Sequence, residues 1–179
     1  MKRSIRLLAK ITSVVILVLL CFTFGCQQPV EEAITEEQAK AIEDLYVQAR
    51  NEVNLELLDK IMEPEIVVHD DGYPEDIVGL EALKNYYADN HKAFPDLHAT
   101  IDEMIVKGDK MVVLWTITGT NTGPLGELLP TGKKVRFSGV AIDRVVNGKV
   151  VEEWVFWNVL DILQQLGFTL TPPQVEEPQ

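Results

Sequence analysis

The sequence predicts an α+β domain, and three observations carry that prediction. Apolar residues recur at helical spacing from residue 39 onward, Pro95 closes the last such stretch, and beyond it the apolar period changes to two. Helices followed by an antiparallel meander are the α+β pattern.

The first helix starts with a capping signal, Thr35 followed three residues later by Gln38. Ala39, Ile42, Tyr46, Ala49 and Val53 then follow at three- and four-residue intervals, which makes one apolar stripe on a helix. "NLELLDKIM" reads as a second short helix stopped by Pro64, and "EIVVHDDG" as a strand ending in a turn. A third helix is expected from about Leu80 to Phe94, with Leu83, Tyr87 and Phe94 on one face. Strands are then expected near 98–107, 110–122, 134–146 and 149–157. "KGDK" and "VNGK" are the hairpin turns, because Gly and Asn or Asp supply the positive φ those turns need. The last strand runs into a short helix closed by Gly167. Along "MVVLWTITGTN" both faces carry buried-type residues, so the sheet can curl and enclose a pocket.

The chain has 179 residues, which fits one domain after an N-terminal leader. Lys2, Arg3, Arg6 and Lys10 precede a run from Ile11 to Phe24 that is almost wholly apolar and short for a membrane span. It ends in "TFGC", which resembles the lipobox of bacterial-type lipoproteins, with Cys26 as the lipidated first residue of the mature protein. The expected organisation is a leader over 1–25, an acidic tether over 26–35, a folded domain over 36–168 and a disordered, proline-rich acidic tail over 169–179. Cys21 would leave with the leader, so no disulfide framework is expected. Loss of the four leader cations leaves 12 basic against 28 acidic residues, a net charge of −16. Such a surface argues against nucleic acid and against docking on anionic lipid, leaving the lipid anchor as the membrane contact and an extracytoplasmic location at the cell membrane.

The stretches "VVHDDG", "GLEALKNYYADNHKAFPDLH", "GDKMVVLWTITGTNTGPLGELLPTGKKVRFSGVAIDRVVNGKVVEEW" and the closing "LQQLG" together resemble the SnoaL-like polyketide cyclases, also known as ester cyclases, of the nuclear-transport-factor-two-like superfamily. The resemblance spans roughly residues 40 to 167. It implies a cone of curved antiparallel sheet closed by three N-terminal helices, an apolar pocket and a homodimer. It also implies ring closure by an aldol reaction, with an acidic side chain at the end of the last strand handling a proton.

Two positions depart from that pattern. The family's ending is W-x-x-x-D, and the Asp position here is Asn158; the family often has "GTHTG" where this chain has "GTNTG", so Asn121 replaces a His. An amide can donate and accept hydrogen bonds but cannot be a general base. The expectation is therefore a domain that binds a small apolar molecule. The alternatives are a cyclase- or isomerase-type enzyme using His69 with Asn121 and Asn158 as carbonyl-orienting donors, and a non-catalytic structural or dimerisation domain.

His69 is placed at the pocket mouth as the candidate catalytic group beside Asn121 and Asn158. Trp115, Trp154, Phe156 and Tyr87 are the expected ligand-binding residues. On the last strand alternation puts Trp154, Phe156 and Asn158 on one face and Val155 and Trp157 on the other, and Trp154 and Phe156 are taken as the inward pair. Of Glu152 and Glu153, an inward one is the only carboxylate on that strand able to replace the missing acid; Glu152, Glu153, Asp143 and Asp161 all have surface or arginine-paired readings. Adjacent residues in "HDD" point to opposite faces, so His69 and Asp71 make at most two ligands and no metal site is expected. No cofactor is expected either.

Overall fold

The computed structural model describes residues 33–171. The expected leader, Cys26 and most of the expected tether and tail lie outside the described residues. The capping box forms as the sequence indicates: Gln38 N donates to Thr35 Oγ1 at 3.1 Å and Thr35 N donates to Gln38 Oε1 at 2.9 Å. It starts helix α1 (Glu36–Asn51), with Glu36 and Glu37 at its positive end and Arg50 in its last turn. The segment expected as a second helix is a 3₁₀ turn, Leu55–Lys60, anchored by the fully buried Leu58.

Strand β1 (Met62–Asp70) follows at once, so Pro64 lies inside a strand and does not merely stop a helix. It falls in the irregular part of the β1 register, between Met62 and Val67, where a proline without an N–H is tolerated. The short β2 (Ile77–Val78) folds back on β1, and helix α2 (Leu80–Ala93) leads to β3 (His98–Lys107), β4 (Lys110–Thr120), β5 (Lys134–Val146) and β6 (Lys149–Trp157). Helix α3 (Val159–Leu166) closes the described fold. The "VNGK" turn has Asn147 at φ 53° and Gly148 at φ 79°, the paired positive φ of a type I′ hairpin.

The strands form one six-stranded sheet in the order β2-β1-β6-β5-β4-β3. It is mixed, which corrects the expected antiparallel sheet: β1 runs parallel to β6. The cause is the crossover, because the chain leaves β1, passes through β2 and α2 to the far edge and returns by a four-stranded meander. The sheet is open, with β2 and β3 as its edges. Nor do three helices precede it, since β1 and β2 lie between the 3₁₀ turn and α2. Register shifts interrupt β3–β4 between Ile101 and Glu103 and β5–β6 between Arg144 and Val145. Bulges of this kind bend a sheet.

Two apolar clusters fill the inner face. One joins α1 and α2 to the sheet through Ile42, Leu58, Ile66, Leu83 and Met111. The other gathers Phe94, Leu97, Ile117 and Val135 under Ile162 and Leu166 of α3. Between them the packing is incomplete.

Candidate functional site

A cavity of about 310 Å³ lies between the sheet and helices α1, α2 and α3. Its wall is largely aromatic and aliphatic. Trp115 of β4, Phe137 of β5 and Trp157 of β6 form one continuous surface, with ring centroids 5.8 Å apart for Trp115–Phe137 and 5.5 Å for Phe137–Trp157. Gly139, the cross-strand partner of Trp115, leaves the space that ring occupies, since a Cβ there would collide with it. Tyr46, Tyr86 and Tyr87 line the helical side.

Polar groups enter this apolar enclosure from four elements. Glu43 and Arg50 come from α1, Asp70 from β1, Asp143 from β5 and Glu153 from β6, and all five are at most 7 % exposed. On α1 the reason is visible in the spacing: Glu43 and Arg50 fall on the same stripe as Ala39, Ile42 and Tyr46. On the strands it is parity. Asp143 and Glu153 are cross-strand partners, and Val68, Asp70, Glu153 and Val155 share the inward side of the parallel β1–β6 pair.

These groups are not equally committed. Asp70 accepts from Trp157 Nε1 at 2.7 Å, from Gly72 N at 2.9 Å and from Tyr86 Oη at 3.2 Å, which satisfies both its oxygens. Arg50 Nη1 donates to Tyr46 Oη at 3.2 Å, its guanidinium lies 4.2 Å from the Tyr87 ring centroid, and the Tyr46 and Tyr87 hydroxyls meet at 2.6 Å. Arg50 Nε and Glu153 Oε2, by contrast, are buried without a hydrogen-bond partner.

Burial is the largest influence on all three remaining carboxyl groups. It raises Glu153 to about 7, against a lowering by Arg50 and with a further push from Asp70. Glu43 rises to about 8 through burial and then through Glu153 and Asp44. Asp143 is held well above the ordinary carboxyl range by burial and by Glu153 and Glu43. Burial likewise raises the Tyr46 and Tyr87 phenols and lowers His91, which packs near Arg50. Glu153 and Glu43 are thus carboxyl groups that hold or release protons near neutrality within apolar walls.

The residues singled out from the sequence divide sharply. Trp115 and Tyr87 line the cavity. Trp154 and Phe156 do not: β6 presents its other face inward, so Glu153, Val155 and Trp157 are inside and Phe156 is 49 % exposed. Trp154 stacks on His69 across β1–β6, with centroids 5.4 Å apart, and Lys110 Nζ lies 4.9 Å from its centroid.

His69 accordingly sits on the outer face, not at the pocket. Its Nδ1 is 2.9 Å from Asp76 Oδ1 and its Nε2 3.3 Å from Glu152 Oε1. The hydrogen bond with Asp76 chiefly raises its pKa. Arg144 Nε completes this surface group by donating to Glu152 Oε2 at 3.1 Å. Glu152 is thus the arginine-paired carboxylate and Glu153 the inward one, whereas Asp143 departs from its expected surface position.

Neither amide reaches the cavity wall. Asn121 is 1 % exposed and its side chain is fully engaged: Oδ1 accepts from Thr131 N at 2.8 Å and Thr131 Oγ1 at 3.0 Å, and Nδ2 donates to Gly123 O at 2.9 Å and Ala93 O at 3.3 Å. No hydrogen-bonding capacity is left for a substrate carbonyl. Asn158 is the N-cap of α3, its Oδ1 accepting from Asp161 N at 3.1 Å. Both are corrections to the expected orienting role, and both amides hold backbone in place.

Glu43, Arg50, Asp70, Asp143 and Trp157 were not among the expected site residues. For Glu43 and Arg50 the signal was a charged residue at helical spacing inside an apolar stripe. For Asp143 and Glu153 it was two like charges facing each other across a hairpin, a pairing that is unfavourable unless protons are held.

A family model described as SnoaL-like polyketide cyclase matches residues 40–166. Among solved structures the chain is similar to TsrD from Streptomyces laurentii (TM-score 0.68, 23 % identity, 75 % of this chain and 98 % of that one). It is also similar to AclR from Streptomyces galilaeus (TM-score 0.65, 29 % identity, 74 % and 98 %) and to IdmH from Streptomyces antibioticus (TM-score 0.64, 24 % identity, 72 % and 98 %). No curated protein matches the sequence.

Proposed function

The chain belongs to the SnoaL-like polyketide cyclase family, and we propose that it binds a small, largely apolar molecule in the cavity between the sheet and the helices. The observation that carries this reading is the cavity itself, about 310 Å³ in volume and walled by Trp115, Phe137, Trp157 and the tyrosines. Apolar walls with a few convergent polar groups are the usual composition of a small-molecule site. Screening lipophilic compounds by thermal shift should find saturable stabilisation, of about 2.7 kcal/mol at a ligand concentration 100 times Kd, that Trp115→Ala weakens. A broad panel giving no stabilisation would overturn the reading.

A second reading, proton transfer on the bound molecule, is favoured by the buried, unpartnered Oε2 of Glu153. In it Glu153 supplies, inside the cavity, the carboxyl group that the family pattern has at residue 158. Its test is hydrogen–deuterium exchange at the acidic carbon of an enolisable ketone. The parent protein should catalyse exchange and Glu153→Gln should not.

The protein is further proposed to be extracytoplasmic and held at the membrane by lipid on Cys26, on the strength of the basic start, the apolar run and "TFGC". Cys26→Ala should move it to the soluble fraction. A homodimer is supported by two apolar rows that cross the outer face, Leu114–Val140–Phe156 and Val112–Ile142–Trp154. Val140→Asp should halve the mass measured by sedimentation.

A further inference from the structure

The charge inside the cavity does not match a purely apolar occupant. Four carboxyl groups, Glu43, Asp70, Asp143 and Glu153, line it against one cation, Arg50, among the described residues. Asp70 is satisfied by Trp157, Gly72 and Tyr86, and Arg50 is held by the Tyr46 hydroxyl and the Tyr87 ring. Arg50 Nε and Glu153 Oε2 remain, both buried and without a hydrogen-bond partner, and of the two only the carboxyl oxygen calls for a donor. A carboxyl oxygen in that state costs free energy that a complementary ligand would recover. Among the described residues no three such side chains converge as metal ligands do, which points away from a bound ion and toward a molecule.

We propose that the cavity takes a lipophilic amine, bound as its ammonium ion against the carboxylate of Glu153, with the aromatic wall enclosing the carbon skeleton. This rests on the small-molecule reading above and specifies its chemistry. An ammonium ion supplies the donor that Glu153 lacks, and its alkyl groups suit the faces of Trp115, Trp157 and the tyrosines, where cation–π attraction adds to burial.

The proton balance follows from the site. Before binding, Glu153, raised to about 7, and Glu43, raised to about 8, are partly protonated near neutrality. When an ammonium ion enters, Glu153 loses its proton to the buffer and the O–H bond is replaced by an N–H···O ion pair. When the free base enters, the amine nitrogen takes that proton itself. The titratable groups that line the cavity with Glu153 are Glu43, Tyr46 and Arg50 from α1, Tyr86 and Tyr87 from α2, Asp70 from β1, Tyr73 from the turn after it and Asp143 from β5. Of these only Arg50 opposes a second cation.

The test is calorimetric titration of the folded protein with benzyldimethylamine and its uncharged isostere isobutylbenzene, in two buffers of different ionisation enthalpy. The amine should bind at least tenfold more tightly than the isostere at pH 8, with that preference shrinking at pH 5.5, and near pH 6.5, where Glu153 still holds its proton before binding, its enthalpy should differ between buffers because a proton is released. Glu153→Gln should erase the preference. If the isostere binds as well as the amine with no proton exchanged, the amine inference is overturned while the pocket reading stands. If neither binds, the pocket reading fails and takes the inference with it.

Discussion

Asp143 on β5 and Glu153 on β6 stand directly opposite each other in the hairpin, and both turn their carboxyl groups into the cavity. With Glu43 reaching in from α1, three acids share an apolar enclosure in which Glu153 makes ionisation of both Glu43 and Asp143 harder.

The stability of the protein should therefore fall as pH rises from 5 to 8. These acids have higher pKa values in the fold than in the unfolded chain, so the unfolded chain releases its protons first. Their stabilising contribution is complete below about 4.5 and is lost as pH passes about 7 for Glu153 and about 8 for Glu43. For Glu153 alone the rise corresponds to on the order of 3 kcal/mol. His69, raised by Asp76, acts in the same sense and His91, lowered by burial, in the opposite one, so the contribution of Glu153 is isolated by comparing Glu153→Gln with the parent. The variant should melt several degrees higher than the parent at pH 8 and close to it at pH 5. A parent Tm that climbs over this range would contradict the buried cluster.

Asn121→Ala should destabilise the protein by about 2 to 4 kcal/mol in denaturant unfolding, since truncation leaves the Thr131 N–H and hydroxyl and the Ala93 and Gly123 carbonyls without their partner. Unchanged stability would show that this amide does not tie the 121–131 loop to the end of α2.

Asn158 is a helix cap, so Asn158→Ala should cost about 1 kcal/mol, whereas Asn158→Asp should equal or exceed the parent because a carboxylate suits a helix N-terminus. Asn158→Asp should also leave ligand-induced thermal shifts unchanged, since residue 158 is not part of the cavity wall. A tenfold change in ligand affinity would place it in the site after all.

Most of the element boundaries were legible because they are written in local chemistry. The Thr35–Gln38 box, Pro95, the two hairpin turns and the change of period locate α1, α2 and β3 to β6 to within a residue or two. The mixed sheet was not legible, because which strands pair across a long crossover depends on where α2 delivers the chain.

The site shows the same division at finer scale. Alternation separated Trp154 and Phe156 from Val155 and Trp157 correctly, but it is symmetric between the two faces, and choosing the inward one by aromatic size selected the wrong set. The resemblance marked residues 121 and 158 as positions of interest, yet a residue's partners are set by the backbone that surrounds it: Asn121 is engaged at both ends of its amide, and Asn158 Oδ1 caps a helix.

What the sequence by itself determined was the α+β class, the helical and strand periods, the family and the presence of amides where the pattern has titratable groups. Only the tertiary structure decided that Glu43, Asp143 and Glu153 meet inside. Burial and proximity belong to the assembled fold, and it is these two quantities that turn ordinary acidic residues into a proton-holding site.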